Sequence, residues 1–369
     1  MSPFASRLFL SGTLAFFVAG MLPALHGVAL PVWTQAYRLD EGEGGTLLAG
    51  NGLGALLAVL SGVWGLPGLG LRTGLSVLAA GATLLALSPS WPLTLLGGLV
   101  GGFGFGLLTT SVNRAFLGGF GARGPGMVGL VNAVYGLGAI LSPLLFLLLG
   151  AHPSLAFGAT ACLALAALLL SGPDAAPPVR GLPDLRDPKL LVTLFIFGNG
   201  LIEGISVGFG ASALTDAGLT AGAAARLTSA FFLAYVASRL ALTWVAGRVA
   251  PARLLLLGLA GAGLAMALAA AGAPAAGFVL AGAFVGMIFP SYYVWAIRIL
   301  GPDPRMTALI LTVALTGGTL APIALRPVLA VTGEAGVFPI VAAVGLVMAI
   351  LFAALRRRAE ALAPRPVPA

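Results

Sequence analysis

Long apolar runs separated by short polar connections limit what this chain can become. A bilayer crossing takes about 20 mainly apolar residues. Runs of that order recur at 8–30, 45–66, 71–88, 91–113, 124–150 and 153–172, then at 190–213, 221–247, 252–271, 274–299, 305–331 and 335–355. With 59% hydrophobic and 8% charged residues, the chain cannot cover such runs with polar surface, since a soluble domain carries about 25% charged residues. The sequence therefore predicts an all-α membrane protein of twelve transmembrane helices whose consecutive members are antiparallel neighbours. Between the sixth and seventh runs lies SGPDAAPPVRGLPDLRDPK, rich in proline and of mixed charge, which reads as a linker. The expected layout is an N-terminal six-helix half (1–170), a cytoplasmic linker (171–189), a C-terminal six-helix half (190–356) and a cytoplasmic tail (357–369). The first run is too long for a signal peptide and lacks a small-residue cleavage site, so it is read as an uncleaved first span.

A net charge of +8 would point to nucleic acid in a soluble protein, but here the basic residues sit between apolar runs and report orientation. With the N-terminus placed in the cytoplasm, Arg38, Arg226 and Arg326 fall outside, Arg239 falls within a span, and the other fifteen of the 19 basic residues fall inside. That asymmetry follows the positive-inside rule, supports an even number of spans and puts both termini in the cytoplasm of a cell (inner) membrane protein. Expected surroundings and partners are lipid, protons and a small-molecule substrate, with no nucleic acid; the chain is expected to be a monomer. Cys162, the only cysteine, permits no intrachain disulfide and reads as a small core residue.

Catalytic and cofactor motifs are missing where they would matter. Gly204-Ile-Ser206-Val-Gly208 fits the hydrolase elbow, but it lies inside an apolar run rather than after a strand, and the chain has only His26 and His152. No G-x-x-x-x-G-K-[ST] stretch exists to bind ATP phosphates. Two histidines and one cysteine make a poor zinc set. The expectation is no enzyme, no cofactor and no metal.

The informative residue is Glu203, set in IFGNGLIEGISVGFG (196–210) between Asn199 and Ser206. An intramembrane carboxylate is expensive to leave in lipid and by default faces a cavity or a partner, marking a substrate or proton pathway. Three readings are open: a proton carrier, a structural partner of Arg239 on the next helix, or an acceptor for substrate hydroxyls. Arg239 itself either gates from an inward-facing position or reaches toward the cytoplasmic interface. The two halves echo each other, since FFVAGMLPAL (16–25) and FIFGNGLIEG (195–204), matched at Gly20 and Gly200, set Pro23 opposite Glu203. Interrupted helices at corresponding positions of two halves point to a transporter binding site near the midplane.

This layout resembles the major facilitator superfamily, and ARLTSAFFLAYVASRLALTWVAGRVAPARLLL (225–256) looks like its eighth helix and following loop. VNRAF (112–116), LVNAVYGLGAILSPLL (130–145) and GLIEGISVGF (200–209) are similar to its sugar permease branch, which includes fucose and glucose/galactose porters. The chain departs from the superfamily loop pattern, with no acid in 62–74 and Gly247 where an acid is expected. Where the branch has carboxylates on helices one and four, this chain has His26 and Thr109.

The resemblance implies that helices one, four, seven and ten line a cavity. His26, Thr109, Thr110, Asn113, Asn199, Glu203, Tyr292, Tyr293 and Trp295 fall on them. Asn51, Asn132, Tyr135, Tyr235, Ser238, Arg239 and Thr316 fall on the gating helices two, five, eight and eleven. Asn132 has an amide suited to a sugar hydroxyl or to an interhelical bond. Tyr292, Tyr293 and Trp295 can stack a pyranose ring or anchor a helix at the interface. His26, toward the exterior end of its helix, either binds substrate or is solvated.

The expected substrate-binding set is therefore His26, Thr109, Asn113, Asn132, Tyr135, Asn199, Tyr292, Tyr293 and Trp295. Glu203 is the proton-coupling residue and Arg239 the gating residue. The expected function is secondary active transport of a small neutral solute such as a hexose by proton symport. An exporter of drugs or amphipathic solutes and an uncoupled sugar facilitator stand as the alternatives.

Overall fold

The computed structural model describes residues 3–40, 42–66, 69–120, 123–172, 181, 188–245, 248–301 and 304–362. They form α1 (Pro3–Tyr37), α2 (Gly45–Val63), α3 (Leu71–Leu87), α4 (Trp91–Gly119), α5 (Gly124–Leu148) and α6 (Pro153–Leu170). After a short 3-10 turn (Pro188–Thr193) come α7 (Leu194–Asp216), α8 (Ala221–Val245), α9 (Pro251–Ala270), α10 (Pro274–Leu300), α11 (Pro304–Thr332) and α12 (Val337–Glu360). Eleven of these are long and apolar enough to cross a bilayer, and α3, at 17 residues, is shorter. The chain is thus an all-helical, multi-pass membrane protein. Most of the linker, Gly247 and the tail from residue 363 lie outside the described residues.

The helices match the apolar runs, but several ends extend past them. α1 continues to Tyr37 through Pro31 because its last turns are held by aromatic packing. Trp33 stacks on Phe157 of α6 at 5.3 Å, and Tyr37 lies 5.7 Å from Trp91. α12 runs on through Arg356, Arg357 and Arg358 to Glu360. Hydropathy marks where lipid ends, not where backbone hydrogen bonding does. Cys162 is exposed on α6 rather than a core residue, because it faces away from the α1 and α3 contacts of that helix.

Lipid tails are as apolar as leucine, so helices associate in membranes by close van der Waals fit, which small residues permit. Here the fit recurs along the chain. A side-chain carbon at Gly102 of α4 would overlap the Asn51 carbonyl of α2, and one at Gly282 of α10 would overlap the Phe231 carbonyl of α8. Gly106 and Gly286 meet the carbonyls of Ala55 and Tyr235 in the same way, and Gly20 and Gly200 those of Tyr135 and Ala314. The glycines of each pair share one spacing along the sequence. Accordingly α1 packs on α5 as α7 does on α11, α2 on α4 as α8 on α10, and α3 on α4 as α9 on α10.

Contacts between the first six helices and the last six run mainly through α2 with α11, α5 with α8 and α1 with α7. At the end of the bundle carrying the α1–α2 connection, Gly27 meets the Val207 carbonyl, Gly45 meets Pro322 and Phe209, and Arg326 pairs with Glu43 at 3.9 Å. Neither α4 nor α10 packs substantially on the opposite group. This bundle is drawn together at the α1–α2 end.

One side-chain bond holds the 3-10 turn (Glu334–Gly336) that precedes α12. The Asp216 carboxylate, at the end of α7, accepts the Ala335 backbone N–H at 2.8 Å. A single exposed bond of this kind is worth about 1 kcal/mol. Asp216→Ala is expected to speed hydrogen exchange at Ala335 and its neighbours while leaving the rest of the exchange map unchanged.

Candidate transport site

The glycines of α7 decide which way Glu203 points. Gly200 and Gly204 lie against Ala314 and Gly318 of α11, so that face of α7 is backbone packed on backbone. Glu203 is left half-buried on the side of α8. There the Tyr235 hydroxyl donates to Oε1 of Glu203 at 2.7 Å, and Nδ2 of Asn199 donates to Oε2 at 3.4 Å. Ser206, the other polar neighbour in sequence, spends its hydroxyl on the Ile202 carbonyl at 2.6 Å and takes no part.

Arg239 completes the cluster. It lies one helical turn beyond Tyr235, its guanidinium stands 4.2 Å from the centre of the Tyr235 ring, and its Nη2 donates to the Tyr235 hydroxyl. Its Nε donates to the Gly286 carbonyl of α10 at 3.2 Å. The side chain thus turns into the protein and does not reach for the interface. Tyr135 of α5 lies within electrostatic reach of both Glu203 and Arg239. The interacting groups read Asn199, Glu203, Tyr235, Arg239, with Tyr135 of the other group of helices in electrostatic reach. No Glu203–Arg239 ion pair within 4.0 Å occurs among the described residues. The phenol stands between the two charges.

A second polar string joins α4 and α5. Nδ2 of Asn132 donates to Oδ1 of Asn113 at 2.9 Å and to the Val128 carbonyl at 2.8 Å, and Asn113 in turn donates to the Thr109 carbonyl at 2.8 Å. Thr109 and Thr110 donate to the Gly106 carbonyl at 3.1 and 3.0 Å. Asn132 is exposed, while Thr109 and Asn113 are half-buried.

The remaining expected residues lie apart from both clusters. His26 is not solvated. It is buried against Phe157 of α6, ring to ring at 5.5 Å, and among the described residues neither ring nitrogen has a hydrogen-bond partner. Tyr292 is fully buried and donates to the Val192 carbonyl at 3.2 Å. Trp295 packs against Phe195 and Phe352 and donates its indole N–H to Glu360 at 3.1 Å. Tyr293 stacks on Phe289. In this conformation Tyr292 and Trp295 are internal packing groups of α10, with ring faces occupied by protein. Sequence reading placed Tyr235 on a gating helix without joining it to Glu203. The signal was its spacing of four from Arg239, which sets both on one helix face.

No protein-family model and no curated protein sequence matches the chain. Solved structures do resemble it in fold. A D-xylose-proton symporter superposes with a TM-score of 0.75 at 14% identity, over 95% of this chain and 97% of that one. The peptide transporter POT gives 0.78 at 14% identity, over 97% and 96%. FucP, a major facilitator superfamily transporter in the outward conformation, gives 0.65 at 19% identity, over 94% and 98%. Together with the twelve helices described above, these likenesses identify the fold of this chain as that of the major facilitator superfamily transporters.

Proposed function

We propose that the protein is a secondary active transporter that moves a small neutral polar solute, a sugar such as a hexose, together with a proton carried on Glu203. The observation that carries this reading is the half-buried carboxylate on a membrane helix, held by Tyr235 and Asn199 and facing Tyr135 across the α5–α8 contact. An ionisable group in such a place is costly and by default functional. Residues 1–170 and 190–356 act as two six-helix halves that rock about the contacts of α1, α2 and α5 with α7, α11 and α8. The segment 171–189 links them on the cytoplasmic side, where both termini also lie. The membrane is the cell inner membrane, and the protein catalyses no covalent chemistry.

Tightness at the α1–α2 end supports an inward-facing arrangement, because that connection falls outside under the positive-inside assignment. The Asn113–Asn132 pair, toward the opposite ends of α4 and α5, then stands on the open side with donors and acceptors for hydroxyls. The likeness to a xylose symporter and to FucP supports a sugar, and the likeness to POT keeps a small peptide as the second reading.

Ligand-induced stabilisation separates these classes. A solute at about 100 times its Kd stabilises the folded state by about 2.7 kcal/mol. Purified protein in detergent is expected to melt at a higher temperature with a hexose and to be unmoved by dipeptides, nucleosides and amphipathic drugs. A shift with dipeptides alone overturns the sugar assignment.

A further inference from the structure

We propose that Tyr235 is the positioning residue through which the charge on Glu203 acts on the packing of α8 against α5 and α10. This rests on the reading of Glu203 as the proton carrier.

The argument begins with where the phenol is held. Tyr235 is buried and packed against Phe231 and Phe232, so its ring has little freedom. Its hydroxyl has one proton to give and lone pairs to share. The proton goes to Oε1 of Glu203 on α7, and the oxygen accepts from Arg239. Arg239 then reaches the Gly286 carbonyl of α10. Next to Tyr235, Val236 fits against Gly136 of α5, and Tyr135 lies within electrostatic reach. One oxygen thereby joins the carboxylate to a cation that is anchored on a third helix, beside the contact that alternating access has to remake.

Packing alone does not require these residues. The constant spacing that relates Gly102 to Gly282 and Gly106 to Gly286 sets Glu203, Tyr235 and Arg239 opposite Pro23, Ala55 and Val59. At those three positions the first six helices achieve the same close contacts with neither charge nor phenol. Glu203, Tyr235 and Arg239 are thus an addition to the last six helices alone, with Tyr135 of α5 in electrostatic reach of them.

The proton balance is simple. With Glu203 ionised, Tyr235 donates to a full negative charge, and the chain of charge-assisted bonds polarises along its length to Arg239. When hydronium gives a proton to the carboxylate, one O–H bond breaks on hydronium and one forms on Glu203, leaving water and a neutral acid in place of the anion. Arg239 loses the charge that balanced it through the phenol, and the hold of α8 on α10 at the Gly286 carbonyl and on α5 beside Val236 loosens. Among the described residues, the titratable and charged groups that act on Glu203 are Tyr235 and Arg239 of α8, through their bonds, and Tyr135 of α5, within electrostatic reach. On other helices packed on α7, His26 is engaged at Phe157, Tyr292 at Val192, Arg326 at Glu43 and Glu360 at Trp295.

The test is a distance measurement on the full chain in lipid nanodiscs. Spin labels are placed at the exposed positions Arg123 and Arg248 in a Cys162→Ala background, and double electron–electron resonance is recorded across a pH series. The unaltered cluster is expected to shift its distance distribution with pH. That shift should be lost in Glu203→Gln and also in Tyr235→Phe, which keeps the ring and removes only the oxygen. If Tyr235→Phe yields no folded protein, Arg239→Gln reads the same link from its other end and should also lose the shift. A pH response in Tyr235→Phe equal to that of the parent, with Glu203→Gln unresponsive, overturns the role of Tyr235 and leaves Glu203 as the carrier. A parent-like response in Glu203→Gln, or none in the parent, overturns both.

Discussion

Glu203→Gln is expected to collapse uphill accumulation of the solute while leaving exchange intact. One proton moving inward across 100 mV delivers about 2.3 kcal/mol. At about 1.4 kcal/mol per factor of ten, that sustains a solute gradient of about 50-fold. Glutamine resembles the protonated acid, and its carbonyl oxygen still accepts from Tyr235, so the bond at Oε1 and the local fold persist. What it lacks is the ability to release a proton inside. The accumulation ratio in proteoliposomes under an imposed potential should therefore fall from tens to about one. Tracer exchange at equal solute concentrations should proceed, because exchange needs no return of the empty, deprotonated carrier.

A larger loss, of the folded protein itself, is expected for Gly102→Leu and Gly282→Leu. At Gly102 a side-chain carbon would come within 2.7 Å of the Asn51 carbonyl carbon and 2.8 Å of its Cα, and at Gly282 within 3.0 Å of the equivalent atoms of Phe231. These neighbours are helix backbone, so relief demands that α2 and α4, or α8 and α10, move apart along their length. Gly54 faces Leu99 and Phe103 from the other side of the α2–α4 contact, so separation there also undoes a second fit. Overpacking costs about 1–3 kcal/mol even where side chains can yield, and here they cannot. Both variants should give no monodisperse peak on size exclusion in detergent. Gly62→Ala, also within α2 but with open space where its new carbon would stand, is the matching control. It should purify normally and melt no lower than the parent, since alanine gains about 1 kcal/mol of helix propensity over glycine.

Much of this fold is written in hydropathy, because lipid demands long apolar helices and little else competes. The site was legible in part. Glu203 stood out as a charge in an apolar run, whereas Asn199, four residues before it, reads from sequence as a substrate-binding residue and not as its hydrogen-bond partner. That the charge meets Arg239 through a phenol was not legible, since it depends on how α8 rotates against α7. The inward turn of Arg239 depends on Gly286, which brings α10 close enough to offer its carbonyl. The burial of His26 depends on Phe157, a residue with no distinguishing signal of its own. The aromatic set of α10 failed as an open stacking platform for a related reason. Residue type and helix number make Tyr292, Tyr293 and Trp295 read as a stacking set, whereas Phe195 and Phe352 fill the space beside Trp295. Sequence periodicity gives the face of a helix but not what lies opposite it.

The measurement closest to the central claim is the internal pH of proteoliposomes as neutral sugars are added outside, with no imposed gradient, for the parent and for Glu203→Gln. Proton-coupled symport through Glu203 predicts that a transported sugar acidifies the lumen of parent vesicles and leaves the lumen of Glu203→Gln vesicles unchanged while its tracer still exchanges. Sugar uptake without acidification in the parent, or equal acidification in both, would contradict it.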